Sequence, residues 1–155
     1  MELVKKKVTL MGPGPSDVAP GVSEKMAYPT VGHLDPDFVA IMDDIKEMLR
    51  QVFRSENKMT FPLSAPGSAG MEASFANVLE PGEKVIIFEN GVFGGRMAEM
   101  ANRQGLEVVR EIFEWGQPVC PERVAAAVAK HGDAKAVAFV HAETSTGVLS
   151  DCEAI

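Results

Sequence analysis

Ser64-Ala65-Pro66-Gly67-Ser68-Ala69-Gly70-Met71-Glu72-Ala73 sets small residues and turn formers directly ahead of an amphipathic run. A loop of this kind opening onto a helix N-terminus suits an anion. The first-turn amides have no partners inside the helix, the helix dipole adds roughly half a positive charge, and Ser68 brings a hydroxyl. Phosphate is the natural guest. The helix is predicted from Met71, Phe75, Val78 and Leu79, which recur at three- and four-residue spacing, and Pro81-Gly82 stops it. The same residues also suit a tight connection with an ordinary serine cap, and both readings stand at this point.

Downstream, the texture alternates between strand and helix. Residues 61–64 read as a short strand end, and Val85-Ile86-Ile87-Phe88 as a buried strand. A helix over 94–104 stopped by Gly105, a strand over 106–112, a helix over 121–131 ended by Gly132, and a strand over 136–141 complete the series. Continuously apolar strands separated by helices imply an α/β fold with a mainly parallel sheet and helices on both faces. Ligands then sit outside the carboxyl ends of the strands.

Upstream, the glycines and prolines of Gly12-Pro13-Gly14-Pro15-Ser16 exclude helix and central strand. Gly32-His33-Leu34-Asp35-Pro36-Asp37 is a second irregular stretch, with Asp35 as N-cap and Pro36 in the first helical turn. The helix that follows carries Phe38, Ile41, Met42, Ile45, Met48, Leu49, Val52 and Phe53 on one side. Asp43, Asp44, Lys46, Glu47 and Arg50 lie on the other. So broad an apolar stripe calls for a partner surface.

The 155 residues, 46% hydrophobic and 24% charged, have the composition of a globular core. A net charge of −7 argues against nucleic acid or an anionic membrane as partner, so an anionic ligand must be held by local donors. Lys5-Lys6-Lys7 reads as a solvated arm. No apolar run approaches the roughly 18 residues of a membrane span, and no signal peptide is visible. Cys120 and Cys152 stand apart without a metal motif and fit free thiols in a reducing cytoplasm. Ser150-Asp151-Cys152-Glu153 reads as a capping box that starts a helix just before Ile155, which suggests a chain cut from something longer.

Three further positions bear on chemistry. Thr144 falls just past the last strand in the polar run Glu143-Thr144-Ser145-Thr146-Gly147, where a doubly wound sheet places ligand contacts and where a plain Ser/Thr turn also fits. Phe93, between glycines, is either a flat platform or ordinary core. His141 reads as a hydrogen-bonded core histidine, and Trp115 as a packed loop residue. A nucleotide site lacks its signatures: no Lys-Ser/Thr pair follows the loop, and no Gly-x-Gly-x-x-Gly precedes the helix.

Taken in order, Gly12–Ser16, Gly32-His33-Leu34-Asp35-Pro36, the 64–70 loop, Leu79-Glu80-Pro81-Gly82-Glu83, Asn90-Gly91-Val92-Phe93-Gly94 and His141-Ala142-Glu143-Thr144-Ser145-Thr146-Gly147 resemble the class V aminotransferases. The likeness is to the alanine–glyoxylate and serine–glyoxylate (serine–pyruvate) branch, from about residue 11 to the chain end, and covers the N-terminal part of such an enzyme. It implies the aspartate-aminotransferase-like, fold type I architecture. Residues 1–60 would form an N-terminal segment and helix facing a homodimer partner, and 61–155 an incomplete cofactor-binding α/β domain.

The implied cofactor is pyridoxal 5'-phosphate. Gly67, Ser68 and the amide of Ala69 would cradle its phosphate, Phe93 would stack on its ring, and Thr144 would donate to its phenolic oxygen. Gly32 and His33 would help form the substrate pocket. Ala65 and Pro66 depart from the family's commoner Ser-Gly-Ser-Gly-Thr or Ser-Gly-Ser-Gly-His loop, and Pro66 removes one backbone donor. The implied reaction is transamination between alanine or serine and glyoxylate or pyruvate. The resemblance places the Schiff-base lysine and its aspartate and arginine partners beyond residue 155, so no catalytic residue is assigned. Two alternatives are a cysteine-desulfurase-like lyase, expected to carry histidine at the position of Phe93, and a non-catalytic binding or oligomerisation module.

Overall fold

In the computed structural model, which describes residues 8–155, the strand β1 (Lys84–Glu89) runs through the middle of a three-stranded parallel sheet. β2 (Glu107–Ile112) lies on one side and β3 (Ala136–Phe139) on the other. Side chains alternate across a strand, and β1 uses both faces. Val85 and Ile87 pack with Phe75, Leu79, Met97, Ala98, Ala101 and Leu106. Ile86 and Phe88 pack with Phe113, Val119, Val124 and Ala127. All four β1 side chains are 0% exposed, and burying each contributes about 1.5–3 kcal/mol. A strand buried on both faces reads as an unbroken apolar run, which is why Val85-Ile86-Ile87-Phe88 is legible in sequence.

The helices on these faces are α3 (Gly67–Val78), α4 (Val92–Arg103) and α5 (Pro121–Lys130), and a two-stranded hairpin of β4 (Ala142–Glu143) and β5 (Val148–Leu149) follows β3. These elements belong to one compact unit, from Ala65 to Ile155; the other ends at Ser64. The earlier unit holds α1 (Pro20–Met26), which the sequence reading missed, and α2 (Pro36–Phe53). α2 starts as expected, with the Asp35 carboxylate accepting from the Asp37 amide at 2.9 Å, and ends at Arg54 in the left-handed region. Its apolar side is open: Ile41, Met48, Val52 and Phe53 are all exposed.

Several expectations are corrected. Residues 61–64 form no strand; Pro62 lacks an amide to donate, and no described strand pairs with them. β3 ends at Phe139, two residues early, because the chain turns into the hairpin. α4 begins at Val92, and α5 closes on the His131 amide bonding to the Ala127 carbonyl, without a left-handed Gly132. Val78 is exposed on the far side of α3, while Leu79, just past the helix, is buried. Trp115 and His141 are exposed, not packed. The Ser150 hydroxyl accepts from the Val119 amide, so Asp151, not Ser150, caps the final turn through the amides of Glu153 and Ala154. Lys5-Lys6-Lys7 lies outside the described residues.

Candidate functional site

Beyond the carboxyl end of β1 the chain passes through Asn90 and Gly91 into α4, and the hairpin turn approaches from the side. Glu143 is the pivot. Its side chain is completely buried, and its carboxylate accepts from the amides of Phe93 (3.1 Å) and Gly94 (3.2 Å) through one oxygen. The other oxygen accepts from the Ser145 amide (3.2 Å) and the Ser145 hydroxyl (2.6 Å). Ser145 Oγ in turn accepts from the Val92 amide at 3.0 Å. A buried carboxylate is costly unless its lone pairs are filled, and here a helix N-terminus fills them. The α4 N-terminus is thereby closed from within the chain.

Gly91 is required by the same contact. A Cβ there would stand 2.4 Å from Glu143 Cγ and 2.7 Å from Ser145 Oγ. Gly94 is held for close helix–strand packing, since a Cβ would approach the Glu89 backbone to 2.9 Å. Asn90 anchors the turn by donating to the Gln117 carbonyl at 2.9 Å.

The α3 N-terminus is different. No side chain caps it, and space around a Cβ built on Gly67 is empty. The first-turn amides of Gly67 and Ser68 have no carbonyl to pair with inside the helix. The Ala69 amide, expected to join them, donates to the Pro66 carbonyl at 2.9 Å and is already engaged. Ser68 Oγ accepts from Arg96 Nη1 at 3.0 Å, and the Arg96 guanidinium lies 5.0 Å from the centre of the Phe93 ring.

The expected cofactor residues of this unit are therefore joined in one chain of contacts. Arg96 links Ser68 to Phe93, and Glu143 links Phe93 to the turn holding Thr144. Thr144 is exposed at the head of that turn, where the amides of Thr146 and Gly147 return to the Glu143 carbonyl and Gly147 takes φ 77°. Gly32 and His33 lie in the earlier unit, both exposed, with the Gly32 carbonyl accepting from the Asp35 amide at 3.0 Å. Sequence reasoning missed Arg96 and Glu143. Helical spacing puts Arg96 three residues after Phe93, on the same side of α4, but the role of Glu143 depends on a contact across 50 residues and leaves no local signal.

Pyridoxal phosphate would bring a phosphate and a flat ring to this donor set. Two amides, a hydroxyl and a guanidinium are all donors and suit a phosphate, and a flat ring stands beside them. The residues fit the group. An apolar groove of about 500 Å³ lined by Met71, Phe75, Leu79, Ala138 and Val140 is not lined by Ser68, Phe93 or Thr144. Among the described residues no metal-ligating cluster occurs, and no helix is long and apolar enough to cross a membrane.

The architecture is that of the fold type I aminotransferases, with the parallel sheet present in part. The crystal structure of ureidoglycine–glyoxylate aminotransferase from Bacillus subtilis superposes with a TM-score of 0.92 at 40% identity, over 99% of this chain and 40% of that one. Alanine–glyoxylate aminotransferase from Nostoc sp. gives a TM-score of 0.87 at 42% identity, over 97% and 41%. In sequence, the chain is 40% identical over 154 residues to (S)-ureidoglycine–glyoxylate transaminase of Bacillus subtilis, covering 99% of this chain and 37% of that protein. No protein-family profile matches. The chain belongs to the class V aminotransferases as a homologue of the glyoxylate aminotransferases, and it spans about two fifths of the length of the relatives it matches. The family uses pyridoxal phosphate.

Proposed function

We propose that this chain forms the phosphate-binding side of a pyridoxal-phosphate-dependent aminotransferase that exchanges an amino group between alanine or serine and glyoxylate or pyruvate. The observation that carries the reading is the open, donor-lined N-terminus of α3, tied through Arg96 to the Phe93 ring. When bound, the cofactor supplies an electron sink for proton removal at the amino acid's α-carbon and carries the amino group between substrates. The chain's own residues orient it. The amides of Gly67 and Ser68 and the Ser68 hydroxyl hold the phosphate, Phe93 covers one face of the ring and keeps water from it, and Thr144 donates to the phenolic oxygen.

Lys84, at the start of β1, is unsuited to covalent capture. Lys84 donates to Asp133 at 2.5 Å and pairs with Glu107 at 3.0 Å, and these bonds, Asp133 first, hold its pKa above the ordinary lysine value. Its amine stays protonated and is a poor nucleophile. Gly32 and His33 are assigned to the substrate pocket of the whole enzyme in this reading, and the exposed apolar stripe of α2 supports a homodimer.

The test is titration of the chain with pyridoxal phosphate, followed by borohydride reduction and peptide mapping. Saturable binding without a single reduced lysine is expected. No binding, or stoichiometric fixation on one lysine of this chain, contradicts the proposal.

A further inference from the structure

We propose that Arg96 is a positioning residue of the phosphate site: it fixes Ser68 as a donor toward the anion and supplies the positive charge that the site otherwise lacks. This rests on the reading above.

Hydrogen-bond polarity comes first. A guanidinium carries donors and no acceptor, so in the 3.0 Å contact Ser68 Oγ must accept. The hydroxyl proton is then free to point away from Arg96. A serine in the first turn of a helix can otherwise turn its hydroxyl back to the local backbone, and the arginine takes the place of that alternative. The bond is charge-assisted and polarises the hydroxyl, which strengthens what Ser68 donates onward.

Charge is the second observation. Of the four arginines between residues 65 and 155, Arg103, Arg110 and Arg123 each pair with a glutamate. Arg96 pairs with none among the described residues, and its guanidinium rests instead on the Phe93 ring at 5.0 Å. A cation held by a hydroxyl and an aromatic face keeps its charge uncompensated for a ligand. In a chain of net charge −7, an anion depends on such local charge. Placement is fixed from two directions: Phe93 is one helical turn away on α4, and the Phe93 amide is itself bound to the Glu143 carboxylate.

The experiment measures the affinity of the chain for pyridoxal phosphate and for phosphate-free pyridoxal, in the wild type and in Arg96→Gln, Arg96→Lys, Ser68→Ala and the Ser68→Ala/Arg96→Gln pair. Arg96 is exposed, so the melting temperature of Arg96→Gln should stay close to that of the wild type. Arg96→Gln should weaken pyridoxal phosphate about tenfold or more, the scale of one charged hydrogen bond, and leave pyridoxal within about twofold. Arg96→Lys, which keeps charge and a donor, should restore most of the discrimination. The double variant should lose less than the product of the two single losses, because both act through one contact. Equal weakening of both ligands, an unchanged ratio, or independent losses in the double variant overturns the proposal. A wild-type chain that binds neither ligand overturns the reading of function and this inference together, whereas wild-type discrimination that survives Arg96→Gln overturns this inference alone.

Discussion

The N-termini of α3 and α4 stand in the same unit and offer the same dipole, yet one is filled and the other open. At α4 a buried carboxylate from the hairpin takes the amides of Phe93 and Gly94, and Gly91 yields the space for it. At α3 there is no side-chain cap, the glycine at the first position faces empty space, and a serine held by an arginine follows. A helix N-terminus is thus not a site by virtue of its dipole. What separates the two ends is that the chain brings its own anion to α4 and none to α3.

The sharpest break in this comparison is a pair of identical substitutions. Gly91→Ala drives a methyl group into Glu143 and should destabilise the protein by about 3 kcal/mol in chemical denaturation. Gly67→Ala meets nothing and should leave stability unchanged or raise it by about 0.5 kcal/mol, while lowering affinity for pyridoxal phosphate. Equal destabilisation by the two would mean that the α3 end is also closed.

Glu143→Gln tests the charge. It keeps the shape, removes the anion and turns one acceptor into a donor facing amide hydrogens, for a loss of about 2 kcal/mol. A neutral result would show that the carboxylate is only space-filling.

Ser68→Ala should change stability by less than about 0.5 kcal/mol but weaken pyridoxal phosphate about fivefold, since it removes a donor to the ligand and, within the chain, only the exposed contact with Arg96. Calorimetric titration reads the second effect and thermal unfolding the first.

The smallest effect lies away from both helix ends. Asp133 is held below its ordinary value of 3.8, chiefly by its hydrogen bond to Lys84. Its contribution is therefore fully present above pH 3.8 and lost as the pH falls through the lowered folded value. Asp133→Asn should lower stability slightly near neutrality and leave it unchanged below the acid window, so that the pH profile flattens there. An unchanged acid profile would remove this pair from the account.

The sheet was legible because β1 is buried on both faces, and α2 because Asp35-Pro36 marks its start. The 64–73 loop was legible as the start of a helix, because small residues and turn formers precede an amphipathic run, but the serine cap it also suited does not form. The family motifs then drew Phe93 and Thr144 toward it, and the contacts through Arg96 and Glu143 are what join these residues in space. Glu143 looked like one more polar turn residue; only the hairpin, formed by pairing Ala142 with Leu149, delivers it to α4. α1 escaped because its seven residues bury nothing, and residues 61–64 misled because a β-like composition without a paired neighbour makes no strand.

The most direct measurement is the backbone amide spectrum of the isotopically labelled chain, titrated with pyridoxal phosphate and, separately, with pyridoxal. The account predicts phosphate-dependent shifts concentrated at Gly67 and Ser68, with the Glu143-bound amide of Gly94 unmoved by the phosphate. Phosphate-dependent shifts centred on the start of α4, or none at either helix end, would contradict it.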